Sequence, residues 1–256
     1  MRRLNLSGQR RLIADYLALL FADMKIEIWS DILCPFCYIG KRRLEGALAK
    51  FAHADQVQVE WRSFELDPNA DPTPGENQYV RLARKYGNTE DWARQMSANM
   101  AQMAAEEGLA FDFDKLVPAN SLDAHRLIHL ATRHGRQDAA EERLFKAYLE
   151  QGLDINDHAV LTRLGADLGL PEPEVAALLS SDQFEQEVRH DEYEARQIGV
   201  RGVPYFVFAD KYAVSGAQPA ELFAEVLEKA WGETQPRHEA IAGADGAACR
   251  LDGSNC

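Results

Sequence analysis

The amino-acid sequence predicts an α/β fold in which a large all-helical segment interrupts a small layer of strands and helices. Strand patterns occur only towards the two ends of the chain, at residues 25–30, 57–64, 203–208 and 212–216. Between them, from about residue 76 to 198, apolar residues recur at the helical spacing of about 3.6. The terminal parts read strand–helix–strand and strand–strand–helix, so we expect them to form one layer that carries the helical segment as an insertion.

The first strand and helix enclose a pair of closely spaced cysteines. Residues 25–30, KIEIWS, alternate isoleucine with polar residues, which indicates a strand. Pro35 then suits the first turn of a helix, whose apolar residues continue to about residue 52. The sequence therefore places the motif C-P-F-C, with Cys34 and Cys37, at a helix N-terminus.

The remaining elements follow from the same patterns. Residues 57–64 (VQVEWRSF) predict a second strand, and the proline-rich stretch 67–76 ends the first α/β unit. Residues 203–208 and 212–216 flank a polar Asp-Lys pair and predict a hairpin, which the amphipathic helix 220–232 follows. The predicted domain bounds are 24–75 together with 199–232 for the α/β domain, 76–198 for the inserted helical domain and 233–256 for a flexible C-terminal tail.

Composition argues against several classes of function. The chain has 256 residues and a formal net charge of −13, which disfavours a surface for nucleic acid or anionic membranes. No apolar run reaches the ~18 residues that span a bilayer. Residues 1–23 place basic residues before an apolar stretch, but Asp15 interrupts it and no cleavage site follows. Between an amphipathic helix and an extended start upstream of Met24, we favour the extended start and expect a cytoplasmic protein.

The C-P-F-C cysteines are the predicted catalytic residues. A disulfide between them would close so short a loop that it adds little stability, so the spacing favours reactivity over a structural role. Unpaired N–H groups and the positive end of the helix dipole favour the thiolate at Cys34. Cys37, one turn further along, is placed to resolve a mixed disulfide formed at Cys34.

Two other interpretations of the cysteines stay open. Cys34 and Cys37 could be buried bystanders, or all four cysteines, with Cys249 and Cys256 from the tail, could bind zinc tetrahedrally. Against zinc, six residues separate the tail cysteines, and Pro-Phe makes a poor zinc-knuckle turn. We favour redox chemistry and predict no metal.

The segment GVRGVPYF, residues 199–206, carries a second signal. A proline at the opening of an apolar strand removes a hydrogen-bond donor from the sheet, which a cis Val203–Pro204 bond would explain. If Pro204 packs beside the dithiol, the backbone of Val203 can pair with an extended substrate segment. An ordinary edge proline is the alternative; we favour the cis bond because a C-x-x-C motif accompanies it.

The two motifs together resemble a known family. SDILCPFCYIGKRRLE and GVRGVPYFVF are similar to the DsbA family of thioredoxin-fold oxidoreductases, and EGLAFDFDKLVPANSLDAHRLIHLA in the helical segment resembles its FrnE-like dithiol–disulfide isomerases. The resemblance covers about residues 25–232. It implies a DsbA-like thioredoxin fold with an inserted all-helical domain, Cys34 as nucleophile, Cys37 as resolving thiol and Val203-Pro204 as the cis-proline element. Related 2-hydroxychromene-2-carboxylate isomerases and kappa-class glutathione transferases typically have serine in place of Cys34.

We therefore predict a thiol–disulfide oxidoreductase or isomerase that acts on protein substrates, with Phe36, Val203 and Pro204 in substrate binding. The resemblance implies no cofactor beyond the dithiol, glutathione or thioredoxin as electron partner, and neither nucleic acid nor membrane as partner. Cys249 and Cys256 are predicted to form a second redox pair that exchanges with the first, as FrnE-like chains often carry. The rival hypotheses are a glutathione-dependent small-molecule isomerase or transferase, and a client-binding chaperone.

Two helical patterns in the insertion have plainer interpretations. His125 and His129 stand four apart, a spacing that could bind a metal, but no glutamate completes an H-E-x-x-H arrangement, and we expect partly buried or surface histidines. One tryptophan and three methionines recur at helical spacing: Trp92, Met96, Met100 and Met103. We expect them mainly in the core, with an adaptable client groove as the alternative.

Overall fold

The α/β part of the protein is built on a mixed sheet. The computed structural model describes residues 24–70 and 77–234 of the chain. In these residues four strands pair in the order β2-β1-β3-β4: β1 (Met24–Ser30), β2 (Val57–Ser63), β3 (Tyr205–Phe208) and β4 (Tyr212–Ser215). β1 pairs in parallel with β2 and antiparallel with β3, which pairs antiparallel with β4. The early and late parts of the chain therefore meet where β1 and β3 lie side by side.

Helices cover this sheet and make up the segment between β2 and β3. Helix α1 (Pro35–Leu48) and the short 3-10 turn Ala54–Gln56 link β1 to β2, and α9 (Ala220–Thr234) follows β4. The helices described between β2 and β3 are α2 (Gln78–Tyr86), α3 (Glu90–Glu106), α4 (Leu122–Arg133), α5 (Gln137–Phe145), α6 (His158–Asp167), α7 (Glu172–Leu179) and α8 (Glu185–Gln197). A π-helical turn, Lys146–Glu150, continues α5. The predicted α/β class with an all-helical insertion is confirmed.

Polar caps explain where several of these helices begin. The Asn77 side chain accepts a hydrogen bond from the backbone N–H of Tyr79 at the start of α2, and Thr89 caps α3 in the same way. Between the two helices Gly87 has a φ of 62°, the left-handed conformation that ends a helix most cheaply at glycine. Helices α2 and α3 therefore form a hairpin that packs as a unit.

Helix α1 belongs to two hydrophobic cores. Its Leu44 and Ala47 lie in the core that the sheet shares with α9. Its Tyr38 lies in the core of the helical insertion, where it stacks on Phe145 with ring centroids 4.9 Å apart. The helix that carries the C-P-F-C motif is thus held from both sides, which fixes its position.

Charged groups also join α1 to the insertion. The Lys41 side chain is only 3% exposed, and its Nζ lies 3.3 Å from a carboxylate oxygen of Asp138 and 3.3 Å from one of Glu142 on α5. It also pairs with Glu45 on its own helix. A buried ammonium with several carboxylates around it is costly to separate from them, so this cluster ties the two parts together.

The second half of the sheet starts later than the sequence pattern predicts. Strand β3 begins at Tyr205 rather than at 203, because Val203 and Pro204 form the turn that leads into it. The Pro204 carbonyl accepts a hydrogen bond of 2.8 Å from the N–H of Gly216, which ties this turn to the end of β4. Among the described helices, none has the length and apolar character needed to cross a membrane.

Candidate active site

Cys34 occupies the N-cap position of α1. Its backbone is extended, with φ −94° and ψ 110°, and Pro35 follows as the first helical residue. The Cys34 N–H donates to the Asp31 carbonyl at 2.9 Å, and the Cys37 N–H donates to the Cys34 carbonyl at 3.0 Å. Both cysteines are reduced thiols. Cys34 thus stands at the N-terminal end of α1, directly before its first helical turn.

The structure brings the second sequence motif to this cysteine. The Val203–Pro204 peptide bond is cis, and Cys34 Sγ lies 3.6 Å from the Val203 carbonyl oxygen, to which it donates a hydrogen bond. Residues far apart in the chain therefore meet at one sulfur atom. The parts that Val203 and Pro204 play in substrate binding stay predictions.

Cys37 lies deeper than Cys34. It is 1% exposed, against 4% for Cys34. Burial and the hydrogen bond with Cys34 raise the pKa of the Cys37 thiol well above its usual value. At neutral pH Cys37 therefore keeps its proton, which suits a thiol that reacts second.

A groove of about 410 Å³ opens beside Cys34 and not beside Cys37. Its floor and walls come from the turn after β1, the segment after β2 and the hairpin of α2 and α3. Its lining is largely apolar and includes Leu33, Phe36, Leu66, Trp92 and Phe113. Phe36 and Leu66 are each 40% exposed, so large apolar side chains face solvent next to the nucleophile.

Two cations lie in the same groove. Arg81 and Lys85 of α2 line it together with Asp67, and Arg81 Nη2 is 3.9 Å from an Asp67 carboxylate oxygen. Since one carboxylate faces two cations, these residues leave the groove with an excess of positive charge. Glutathione and peptide segments with acidic residues both match that charge.

The methionines of α3 lie mainly in this groove, where the sequence predicted a core. Met96 is 42% exposed and lines the groove with Trp92 and Met100, whereas Met103 packs against the helical core. The core prediction was wrong for Met96 because helical spacing defines a face of a helix and not what covers that face.

The prediction for the two histidines was wrong for His125 and right for His129. His125 is completely buried, and its Nε2 lies 3.6 Å from Oδ1 of Asp31, three residues before the nucleophile. His129 is partly buried, and its Nε2 lies 3.1 Å from the hydroxyl oxygen of Ser63 and 3.3 Å from an Asp191 oxygen. Sequence reasoning missed Asp31. The one signal for it was its place in the sequence, since this carboxylate follows the first strand and precedes the C-P-F-C motif.

Gly40 is a second residue that sequence reasoning missed. A Cβ atom at Gly40 would lie 3.1 Å from Pro204 and 3.1 Å from Phe206, so α1 approaches the cis-proline turn closely only because this residue has no side chain. We expect Gly40→Val to lower the free energy of unfolding by about 2 kcal/mol and to slow disulfide exchange, because it pushes the proline turn away from Cys34.

The control for that substitution lies on the same helix. A Cβ atom at Gly46 meets nothing within 4 Å, so Gly46→Ala should instead stabilise the protein by roughly 0.5–1 kcal/mol. Urea unfolding curves of both variants measure these changes. Equal stability of Gly40→Val and the unsubstituted protein would show that the contact with Pro204 does not constrain this site.

Two regions of the sequence analysis lie outside the described residues. They are the N-terminal stretch 1–23 and the tail that carries Cys249 and Cys256. The second redox pair stays a prediction.

Known proteins match this chain over most of its length. A family model described as a DSBA-like thioredoxin domain matches residues 25–228. The chain is 42% identical to a probable DsbA oxidoreductase from Streptomyces coelicolor, whose crystal structure superimposes with a TM-score of 0.79 over 90% of this chain and 97% of that one. This likeness confirms the predicted DsbA-like thioredoxin fold.

Two more distant structures are similar in fold alone. The cytosolic disulfide reductase DsbM from Pseudomonas aeruginosa is 19% identical, with a TM-score of 0.57 over 80% of this chain and 97% of that one. A 2-hydroxychromene-2-carboxylate isomerase is 16% identical, with a TM-score of 0.58 over 82% of this chain and 95% of that one. The FrnE-like branch stays a prediction. On the family match and the close Streptomyces relative, the chain belongs to the DSBA-like thioredoxin domain family, a family of oxidoreductases.

Proposed function

We propose that this protein exchanges disulfides with protein substrates through Cys34 and Cys37. One observation carries the proposal: Cys34 Sγ lies at an apolar groove and within hydrogen-bond distance of the Val203 carbonyl, while Cys37 is buried behind it. An attacking sulfur that a substrate can reach from a groove and a resolving sulfur that lies deeper is the arrangement that thiol–disulfide exchange requires.

The reaction has two steps. The Cys34 thiolate attacks one sulfur of a substrate disulfide, so that a Cys34–substrate bond forms and the second substrate sulfur leaves as a thiolate that takes up a proton. Cys37 then loses its proton and attacks Cys34 Sγ, which releases the first substrate sulfur and leaves a Cys34–Cys37 disulfide. Two electrons have moved from the protein to the substrate, and glutathione or thioredoxin returns them. If the substrate rearranges before Cys37 attacks, the outcome is isomerisation.

The groove and Val203 divide substrate recognition between them. Apolar side chains such as Phe36 and Met96 take up the side chains of an unfolded segment, and a methionine adapts to varied shapes. In the free protein the Val203 carbonyl accepts a hydrogen bond from the Cys34 thiol. Once Cys34 has reacted, this carbonyl becomes available to a substrate N–H. Arg81 and Lys85 favour acidic segments.

The same two cations support glutathione as electron partner. Glutathione carries two carboxylates, and the groove places Arg81 and Lys85 beside Cys34. DsbM, which shares the fold, has been solved with glutathione. We propose glutathione as reductant and a cytosolic setting, in keeping with the sequence-based expectation.

Replacing the nucleophile tests the proposal. We expect Cys34→Ser to lower the initial rate of insulin disulfide reduction by glutathione, and of refolding of scrambled ribonuclease, at least ~100-fold, because no other thiol of the described residues lines the groove. A Cys34→Ser chain with unchanged rates would refute the proposal.

Two further measurements separate the rival functions. If the protein were a chaperone with an incidental dithiol, Cys34→Ser would still suppress aggregation of an unfolded client while the unsubstituted chain showed no exchange. If it were a glutathione transferase, glutathione would be consumed by an aromatic electrophile and not by insulin. The proposed function predicts disulfide exchange by the unsubstituted chain in the first assay, and in the second predicts that glutathione is consumed with insulin and not with the electrophile.

A further inference from the structure

Asp31 is a fully buried carboxylate that holds the turn before Cys34. Its Oδ1 accepts the N–H of Leu33 at 3.1 Å, and its Oδ2 accepts the N–H of Leu66 at 2.7 Å. Its backbone carbonyl accepts the N–H of Cys34. One residue therefore sets the position of Cys34 and of two groove-lining residues on either side of it.

The group that faces this carboxylate comes from the helical insertion. His125 of α4 is completely buried, with Nε2 3.6 Å from Asp31 Oδ1. Neither ring nitrogen has a hydrogen-bond partner within normal distance among the described residues. A buried imidazole with no other partner, aimed at a buried carboxylate, indicates that the two act on each other.

The other charged groups around His125 leave this pairing intact. Glu65 also faces the ring, but its carboxylate is already paired with Arg189. Glu141 of α5 also faces it, and burial raises the pKa of Glu141 to about 8, so this carboxyl is neutral at neutral pH. Asp31 and its neighbours raise the pKa of His125 against the opposing effect of burial. When the ring is protonated, its charge is therefore balanced chiefly by Asp31.

We propose that Asp31 and His125 are positioning residues for the nucleophile. The Asp31 carboxylate holds the turn that presents Cys34, and His125 reaches across from the helical insertion to hold that carboxylate. A buried carboxylate without a counter-charge is costly, so loss of the ring loosens the turn. The inference rests on the proposed function, since it concerns how the same dithiol reacts.

The equilibrium of the Cys34–Cys37 pair with glutathione tests the proposal. A helix N-terminus favours anionic groups, and a dithiol whose thiolate is favoured tends towards its reduced form, so loosening the turn before Cys34 should favour the disulfide. We expect His125→Leu to shift the equilibrium about tenfold towards the disulfide, the effect of leaving the Asp31 carboxylate without its counter-charge. His125→Gln, whose amide can still donate to Asp31, should stay within about threefold of the unsubstituted protein.

Two further variants separate positioning from general destabilisation. His129→Leu removes a histidine from the same helix that contacts Ser63 and Asp191 instead, and should leave the equilibrium within about threefold. Because His125 acts through Asp31, the double variant Asp31→Asn/His125→Leu should lie no further from the unsubstituted protein than Asp31→Asn alone.

The outcomes are unambiguous. A folded His125→Leu chain with an unchanged equilibrium, or a double variant in which the two shifts multiply, would overturn the inference. If His125→Leu fails to fold, His125→Asn replaces it: the same amide as glutamine on a shorter side chain should show the full shift. A chain that equilibrates with glutathione but shows no activity on insulin would overturn the proposed function and leave the role of His125 standing.

Discussion

A chain with Cys37→Ser, Cys249→Ser and Cys256→Ser is expected to accumulate as mixed disulfides with its substrates. Cys34 lies at the groove and can still attack, but the buried thiol that would release the substrate is missing. In the unsubstituted protein the covalent intermediate is short-lived because Cys37 sits one helical turn away. Non-reducing electrophoresis of the variant after incubation with oxidised insulin should show a covalent adduct that dithiothreitol removes.

The matched control is Cys34→Ser/Cys249→Ser/Cys256→Ser, which should form no adduct because the thiol that it keeps, Cys37, does not line the groove. If Cys34→Ser forms adducts and Cys37→Ser does not, the roles of attacking and resolving thiol are reversed. The tail cysteines are tested in the same experiment. If a Cys37→Ser chain that retains Cys249 and Cys256 forms less adduct than the triple variant, the tail resolves mixed disulfides; equal amounts would exclude the predicted second redox pair from this step.

The position of the cysteine pair at a helix N-terminus and the cis-proline turn could be predicted because each is a local motif. Two cysteines at the start of a helix, and a proline at the opening of an apolar strand, each break a rule of ordinary core sequence and so call for a chemical explanation. The fold class could be predicted for a related reason: the change from period two to a helical period and back is visible along the chain.

The support of the site could not be predicted, because it joins elements that are distant in the chain. Asp31 stands in the motif itself, but its partner His125 lies on a helix of the insertion, and nothing in the spacing of the two residues links them. Gly40 shows the same limit. Position 40 has no room for a side chain because Pro204 and Phe206 lie against it, and these two residues approach it only after the sheet has formed.

The insertion therefore does more than cover the sheet. Its hairpin α2–α3 supplies one wall of the groove, its α4 supplies the ring that faces Asp31, and its α5 supplies the carboxylates around Lys41. A substrate in the groove touches the α/β part and the insertion at the same time. A substitution that changes a charge inside the insertion should accordingly change both the free energy of unfolding and the redox equilibrium of the Cys34–Cys37 pair.

Glu141 gives the largest such effect on stability: the free energy of unfolding should fall as pH rises from about 5 to 8. Burial raises the pKa of this carboxyl from 4.5 to about 8. Within that window the folded protein keeps a proton that the unfolded chain has lost, so rising pH favours unfolding. The free energy of unfolding should fall by about 3–4 kcal/mol between pH 5 and pH 8 from this group alone.

The other shifted groups do not cancel this trend. The raised pKa of His125 gives stability that is present below its unfolded value of 6.5 and is lost as pH rises through the folded pKa, which is the same direction. Arg42 and Tyr38 lower the pKa of Glu142 below its usual value of 4.5. The stability that Glu142 contributes is therefore present above pH 4.5 and stays constant between pH 5 and pH 8. Burial also raises the pKa of Glu65, so the slope above pH 5 reports on Glu141, His125 and Glu65 together, and Glu141→Gln isolates the share of Glu141.

Glu141→Gln should remove most of the slope, because the amide has no proton to lose, and should leave the protein more stable than the unsubstituted chain at pH 8. Urea unfolding of the reduced protein at pH 5.5, 7 and 8 measures it, with Glu142→Gln as control, since that neighbour should lose stability equally at all three values. A flat profile for the unsubstituted protein would mean that Glu141 is ionised in the fold. The fold would then tolerate a buried, unpaired carboxylate at this position. In that case Glu141, as well as Asp31, would balance the charge of a protonated His125.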